Sequence, residues 1–187
     1  YSPERINPGD NIKNIRNIKK IISASNKYSL NKMNKIYSKI ISAKLFEAKN
    51  IKIAESAKVI ENAQRDINIA FINELYKIFD NLNIDIHDVL KAASTKWNFL
   101  NFQPGLVGGH CIGVDPYYLT YLSKSKGYNP KVILSGRKIN DNMADYASKE
   151  ILKILKKKKL SPKSKILVLG YTFKENCPDY RNTQIEK

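Results

Sequence analysis

The chain has 187 residues, 42% of them hydrophobic, and its 33 Lys and Arg against 17 Asp and Glu give a formal net charge of +16. That apolar content supports a packed core and excludes general disorder, and no apolar run approaches the roughly 18 residues of a membrane span. Because lysine, isoleucine and asparagine are abundant on every kind of segment, the charge indicates a compositional bias, and we expect neither a nucleic-acid nor a membrane partner. Two cysteines and a start without an apolar signal region favour a reduced, cytoplasmic setting.

The first 50 residues predict the end of an α/β domain. Residues 1–10 contain two prolines and a glycine and predict a loop. A strand-forming run at 18–23 is followed by apolar residues spaced three and four apart over 30–41, which predict an amphipathic helix. A second strand is predicted at 43–48.

Residues 51–81 contain neither proline nor glycine and carry apolar residues at helical spacing. They predict one helix of about 45 Å. Because so long a helix exceeds what a small domain buries, we expect it to span domains or to pack against a second copy of the chain.

The remaining residues predict short helices and then a strand. Asp85 is placed to cap a helix that ends near Ala93. A loop at 96–113 leads to a helix opened by Pro116 and ended by Gly127, and another helix is predicted from Pro130 to about Lys158. The apolar run at 165–170 predicts a buried parallel strand, the start of a second α/β domain.

A glycine-rich loop presents Cys111, and Asp115 follows four residues later. A lone cysteine is most often a small buried apolar residue, but glycine-flanked loops present reactive groups, and His110 or a nearby lysine could lower the thiol pKa. Asp115 could orient a water molecule, or it could be the N-cap of the next helix. His110 and Cys111 lack the second pair of ligands that a metal site needs.

A polar stripe runs along the long helix. Lys58 and Asn62 lie four residues apart and share a face, and Glu55, Asp66 and Asn73 continue it. We expect a solvated stripe; the alternative is a cleft lining in which Lys58 stabilises a developing oxyanion.

Lys174 and Arg181 follow the predicted strand that ends at Gly170. Loops at that end of a parallel sheet bind ligands, and two cations there suit a phosphate. Ordinary surface charges explain them equally well.

Five motifs stand out along the chain. They are Ser2–Arg5 with Pro8–Gly9, Ala54–Asn62, Asn73–Leu75, Gly108–Leu119 and Leu169–Glu175. In type and order they resemble the UDP-glucose/GDP-mannose dehydrogenase family over essentially the whole chain. The fourth motif resembles the version found in the branch of the family that acts on UDP-N-acetylhexosamines. That branch serves bacterial capsule and O-antigen sugars.

The resemblance implies oxidation of the sugar C6 alcohol to a uronic acid, with two NAD consumed. It implies that Cys111 attacks the C6 aldehyde to form a thiohemiacetal, which becomes a thioester that water hydrolyses. Lys58 and Asn62 match residues that stabilise the oxygen charge at C6. Asp115 matches an aspartate that works with the water or the lysine, and Glu4 matches a glutamate that assists proton transfer in hydrolysis.

The resemblance also implies substrate contacts from Gly108 and Gly109 and from Lys174 at the start of a C-terminal domain, with Arg181 in the same loop. It implies a homodimer formed through helix 51–81. The expected fold is therefore α/β for the family and mostly α for this chain.

We expect residues 1–50 to end an NAD-binding Rossmann-like domain, 51–160 to form a central helical dimerisation domain, and 161–187 to begin a Rossmann-like UDP-binding domain. The sequence has no G-x-G-x-x-G turn, so we expect the isolated chain neither to bind NAD properly nor to turn over. A non-catalytic helical dimer is the main alternative, and a nucleic-acid binder, motivated only by the charge, is the third.

Overall fold

The computed structural model describes residues 1–6, 12–161, 163–172 and 175–187. They divide into two compact units. The first holds Tyr1–Glu61, and the second holds the chain from Asn62 onward apart from a short stretch around Asn176. The described chain is mostly helical with one small parallel sheet, as the sequence predicts.

The first unit contains a β-α-β arrangement. Strand β1 (Lys20–Ile22) pairs in parallel with β2 (Leu45–Glu47), and helix α1 (Lys27–Tyr37) connects them. Both predicted strands are confirmed at shorter lengths. Helix α1 starts three residues earlier than predicted because the Asn26 side chain accepts a hydrogen bond from the Ser29 amide and caps it.

The core of this unit forms between the sheet and the start of the next helix. Ile21 of β1, Ala48 just after β2 and Ala54 are buried against one another. Tyr1 lies beside the end of β1, where its carbonyl accepts a hydrogen bond from the Ser23 amide at 2.9 Å. The N-terminal residues are thereby fixed next to the sheet.

Helix α2 (Ile51–Asn81) has the bounds that the sequence predicts. Asn50 accepts a hydrogen bond from the Ile53 amide at its start. In the second unit, Ile72 of α2 packs against Ile86 and Leu90 of helix α3 (Ile86–Ala93). Asp85 caps α3 as predicted, with its carboxylate accepting the His87 amide.

Three further helices complete the second unit. They are α4 (Asp115–Ser125), α5 (Lys131–Asp141) and α6 (Met143–Lys157). Helix α4 carries Pro116 in its first turn, and Gly127 follows it with a φ of +85°, as expected for a glycine that ends a helix. Within the described ranges, no helix is both long and apolar enough to cross a membrane.

The prediction of one helix from Pro130 to about Lys158 is wrong, because the chain breaks at Asn142 into α5 and α6. The side-chain amide of Asn142 donates to the Lys138 carbonyl at 2.8 Å. In an unbroken helix that carbonyl would accept the backbone N–H of Asn142. Short polar side chains compete with helical hydrogen bonds in this way.

The buried strand predicted at 165–170 is also absent. Leu167 and Leu169 are 82% and 85% exposed, and the sheet of the described residues contains only β1 and β2. A strand needs a neighbour for its backbone groups, and the described residues supply none to this segment.

Gly136 lies inside α5 and is buried. A Cβ there would lie 3.5 Å from both Ala70 Cβ and Ile67 Cγ1, which is ordinary van der Waals contact. We therefore expect Gly136→Ala to raise the free energy of unfolding by about 0.5–1 kcal/mol through helix propensity. The measurement is urea unfolding, monitored by circular dichroism.

Gly127→Ala is the matched control. Nothing lies within 4 Å of a Cβ at this position, but its φ of +85° strains any L side chain. We expect this variant to lose about 1 kcal/mol. A loss of stability in Gly136→Ala would contradict the packing described for α5.

Candidate functional site

Cys111 lies in a turn that leads directly into α4. Its carbonyl accepts the backbone N–H of Val114 at 3.0 Å and of Asp115 at 2.8 Å. The residue is partly buried and stands one turn before α4 begins. The N-terminal end of a helix favours negative charge, so this placement suits a thiolate.

Asp115 is held by the long helix. The side-chain amide of Asn62, which is 4% exposed, donates to Asp115 Oδ2 at 2.6 Å. The interpretation of Asp115 as the N-cap of α4 is wrong: Val114 occupies that position without a side-chain cap, and Asp115 is a first-turn residue. The contact brings together two of the predicted catalytic residues.

The prediction of a solvated stripe on α2 is wrong for three of its members. Asn62, Asp66 and Asn73 are 4%, 0% and 0% exposed, whereas Glu55 is exposed as expected. Buried polar side chains require partners. Helix α4 supplies one to Asn62 through Asp115, and helix α5 supplies them to Asp66 and Asn73.

Asp66 is the centre of that buried network. Its Oδ1 accepts hydrogen bonds from Arg137 Nη1 at 2.5 Å and from Asn140 Nδ2 at 2.7 Å. Asn140 Oδ1 in turn accepts from Asn73 Nδ2 at 2.9 Å, and Asn73 also exchanges two hydrogen bonds with the backbone of Gly105. The network therefore connects α2 and α5 to Gly105. This residue starts the glycine-rich segment 105–114 that carries Cys111, called the cysteine loop below.

The charges of this network are held in the interior. Burial raises the pKa of Asp66, and the opposing attraction of Arg137 and the Asn140 hydrogen bond do not fully offset it. Burial alone would lower the pKa of Arg137, but the carboxylates of Asp66 and Asp141 outweigh burial and raise it. Arg137 is therefore a permanent cation, 3% exposed, between two carboxylates.

A cavity of about 230 Å³ lies against this network and the cysteine loop. It is lined by Val107, Gly108, Gly109, Gly113, Val114, Tyr117, Arg137, Asp141, Asn182 and Gln184. The two glycines predicted to contact substrate are thus at the wall of a cavity. Gly109 has a φ of +83°, a left-handed conformation that favours glycine.

The C-terminal segment reaches the same loop. The Gly109 N–H donates to the Arg181 carbonyl at 3.1 Å, and His110 Nδ1 lies 3.2 Å from Asp179 Oδ2. Arg181, predicted to meet a phosphate, directs its guanidinium to Asp179 at 2.6–3.1 Å. These hydrogen bonds hold the pKa of Asp179 well below its usual range. Lys174 lies outside the described residues.

Glu4 belongs to the first unit. Its Oε1 accepts the backbone N–H groups of Arg5 and Ile6 at 2.7 and 2.8 Å, and Lys20 Nζ lies 3.2 Å from Oε2. Burial acts to raise the pKa of Glu4, but the two amides and the ammonium outweigh it and lower the pKa. Glu4 is therefore an ionised carboxylate at neutral pH. Lys58, also in the first unit, is partly buried on α2.

Several residues of this region carry no signal in the sequence beyond their type. Arg137 and Asp141 lie within an ordinary helical pattern, and Asp179 and Asn182 lie in a loop. The run Asn140–Asp141–Asn142 was the available sign, because three short polar residues in succession are unusual in a helix. Within the described ranges, no group of three or more His, Cys, Asp or Glu could hold a metal ion.

Arg137→Met tests the buried ion pair. It leaves the Asp66 carboxylate charged in the interior without its cation, so we expect a loss of about 3–5 kcal/mol in the free energy of unfolding. The double variant Asp66→Asn/Arg137→Met should lose less than the sum of the two single losses. A double variant whose loss in urea unfolding equals the sum of the two single losses would contradict the pair.

Glu4 makes a prediction about pH. Because its pKa is lower in the folded state, its hydrogen bonds stabilise the fold above the ordinary glutamate pKa of about 4.3 and lose that contribution as pH falls through the folded pKa. We expect Glu4→Gln to reduce the difference between unfolding midpoints measured at pH 7 and pH 3.5. An unchanged difference would contradict the assigned contacts.

Comparison with known proteins identifies the family of this chain. Residues 52–142 match the family model described as UDP-glucose/GDP-mannose dehydrogenase family, central domain. The UDP-N-acetyl-D-glucosamine 6-dehydrogenase of Salmonella typhi is 58% identical over 186 residues, covering 99% of this chain and 44% of that protein. Protein CapL of Staphylococcus aureus is 56% identical, with the same coverage.

Solved structures give the same result. The structure of a UDP-D-ManNAc dehydrogenase from Pyrococcus horikoshii matches with a TM-score of 0.87 and 30% identity, over 98% of this chain and 43% of that one. The chain thus spans about 44% of the length of the curated relatives that it matches. The predicted family is confirmed: the chain belongs to the UDP-glucose/GDP-mannose dehydrogenase family.

Proposed function

We propose that this chain carries the cysteine nucleophile of an NAD-dependent UDP-N-acetylhexosamine 6-dehydrogenase, which oxidises the C6 alcohol of the sugar to a carboxylate. The observation that carries the proposal is the fixed turn from Cys111 to Asp115, whose carboxylate is bound by the buried Asn62. The names of the relatives support the substrate class.

Cys111 acts after the alcohol has become an aldehyde. Its thiolate adds to C6, forming a carbon–sulfur bond, and the carbonyl oxygen takes a proton to give a thiohemiacetal. Loss of a hydride from C6 and of the hydroxyl proton gives a thioester. Water then adds at C6, and the carbon–sulfur bond breaks to release the acid and the thiolate. Sulfur suits both steps because it adds and leaves readily.

The polar residues have roles that follow from their contacts. Asn62 donates to Asp115 and is fixed by burial, so its amide stabilises negative charge without reorganisation. Asp115, an acceptor one turn from Cys111 along the chain, orients the attacking water. In this proposal Lys58 supplies the cation for the developing oxyanion at C6.

Glu4 accepts a proton during thioester hydrolysis in this proposal. Glu4 is ionised at neutral pH, as a proton acceptor must be. Gly108 and Gly109 offer backbone groups to the sugar nucleotide at the wall of the cavity. Lys174 and Arg181 provide positive charge for its phosphates.

NAD is the hydride acceptor of the proposal, but the described residues do not fit its pyrophosphate. The turn between β1 and α1 is Ser23–Asn26 and contains no glycine. Such a turn requires glycines for the close approach of the backbone to the phosphates. We therefore assign to this chain the nucleophile, the charge stabilisation and the hydrolysis, and no step of NAD binding.

The sugar is proposed to be UDP-N-acetylglucosamine. A relative named for this sugar is 58% identical to the chain, whereas one named for the mannosamine sugar is 37% identical. The relative named CapL supports a product used for bacterial surface polysaccharide.

A homodimer through α2 is part of the same proposal. In the second unit Phe71 and Ile78 are 54% and 46% exposed and lie seven residues apart, on one face of the helix. In the first unit Ile53 and Ile60 show the same spacing and exposure. Large apolar side chains in such rows are typical of helix–helix interfaces.

Cys111→Ser tests the proposed reaction. The protein encoded by the complete reading frame that carries this chain is incubated with UDP-N-acetylglucosamine and NAD, and NADH and uronic acid are measured. We expect the serine variant to lose about 10³-fold or more of the rate of acid formation, because an unactivated hydroxyl is a poor nucleophile.

Cys177→Ser is the matched control and should leave the rate unchanged, since Cys177 has no role in the proposal. Acid formation at the parental rate by Cys111→Ser would overturn the mechanism. Activity with UDP-N-acetylmannosamine alone would overturn only the choice of sugar.

A further inference from the structure

Both backbone groups of Gly109, two residues before Cys111, are held by the C-terminal segment. Its N–H donates to the Arg181 carbonyl at 3.1 Å, and its carbonyl accepts from Asn182 Nδ2 at 3.2 Å. A peptide held through both its donor and its acceptor cannot shift without breaking two hydrogen bonds. Gly109 is thus a fixed point of the cysteine loop.

The next residue, His110, is held by the same segment. Its Nδ1 lies 3.2 Å from Asp179 Oδ2, and Arg181 Nη2 lies 3.5 Å from that nitrogen. Arg181 Nη2 already donates to Asp179 at 2.6 Å, so the carboxylate is the closer partner of the imidazole. His110 is therefore in direct contact with the Asp179 carboxylate.

Asp179 is itself immobilised. Three hydrogen bonds from the Arg181 guanidinium and one from the Arg181 backbone N–H converge on its two oxygens. Its side chain is 17% exposed although it lies in an irregular segment. Such bidentate arginine–carboxylate pairs fix geometry as well as charge.

The other side of Cys111 is fixed by α4. Its carbonyl accepts the amides of Val114 and Asp115, and Asp115 is bound by Asn62. Cys111 therefore lies between two fixed points of the backbone. The downstream one is the start of α4, and the upstream one is Gly109. The upstream anchor comes from residues about 70 positions later in the chain.

We propose that Asp179, Arg181 and Asn182 form a clasp that sets the position of the Cys111 thiol, with Asn182 and Asp179 as positioning residues acting through Gly109 and His110. The proposal rests on the proposed function for its catalytic consequence, but the clasp itself is a property of the fold. It makes the reactivity of Cys111 depend on the segment that follows residue 178.

The first test measures the thiol without substrate or NAD. In the chain carrying Cys177→Ser, the alkylation rate of Cys111 by iodoacetamide is followed from pH 6 to pH 10 by mass spectrometry. Asn182→Gly removes the amide donor and keeps the left-handed backbone, since Asn182 has a φ of 55°. We expect the alkaline plateau rate to rise about threefold or more, because a loop without its anchor opens more often.

The control is Asn83→Gly, the same substitution at an exposed asparagine with a φ of 56° that follows α2. It should leave the plateau rate unchanged, and circular dichroism should show both variants folded. Hydrogen exchange of the Gly109 amide should speed up in Asn182→Gly alone. Equal alkylation and exchange in the two variants would overturn the clasp.

Asp179→Asn provides an independent variant that keeps the side-chain shape and removes the charge. We expect the same direction of change in alkylation, since the contact with His110 and the hydrogen bonds from Arg181 weaken. If this variant matches the parent while Asn182→Gly also matches its control, no part of the clasp positions Cys111 and the proposal fails.

The second test uses the protein of the complete reading frame. A misplaced nucleophile lowers kcat without changing substrate affinity, so Asn182→Gly should lower kcat by about tenfold or more with KM unchanged. A rise in KM with unchanged kcat would assign Asn182 to substrate binding and overturn its positioning role. If the parent protein shows no dehydrogenase activity, the proposed function fails, and the alkylation and exchange experiments still decide the clasp.

Discussion

The second unit depends on one constraint, the burial of an ionised pair between α2 and α5. Asp66 and Arg137 are 0% and 3% exposed, and each would be costly in the interior without the other. Two atoms of the pair, Asp66 Oδ2 and Arg137 Nε, have no hydrogen-bond partner among the described residues. The ion pair joins the two helices in a register in which Asn140 also meets Asp66 and Asn73.

That register places the cysteine loop. Asn73 binds the backbone of Gly105 at the start of the loop, and Asn62, one turn before Asp66 on α2, binds Asp115 at its end. Both ends of the loop are therefore hydrogen-bonded to the same helix, α2. A loop with such fixed ends can present a thiol at a defined place, which is what nucleophilic catalysis requires.

The cavity wall and the buried network thus share residues. Asp141 and Tyr117 contact Arg137 and also line the cavity beside Gly108 and Gly109. Changes in the buried network will reach the loop through these contacts. The proposed cysteine chemistry would need this arrangement, since a nucleophile requires a rigid turn and not merely a reactive sulfur.

The sequence by itself determined the helical character of the chain, the bounds of α2, the cap at Asp85 and the family, because each depends on local periodicity, capping chemistry or an ordered motif. Tertiary structure decided the rest. Asp66 and Asn73 look like part of a solvated stripe until α5 binds them, and so does Asn62 until it meets Asp115 of α4. Asp115 looks like a cap, but Val114 takes that position. The apolar run at 165–170 forms no strand because pairing needs a neighbour, and the contacts of Asp179 and Asn182 with the loop join residues about 70 positions apart, a relationship that no local pattern encodes.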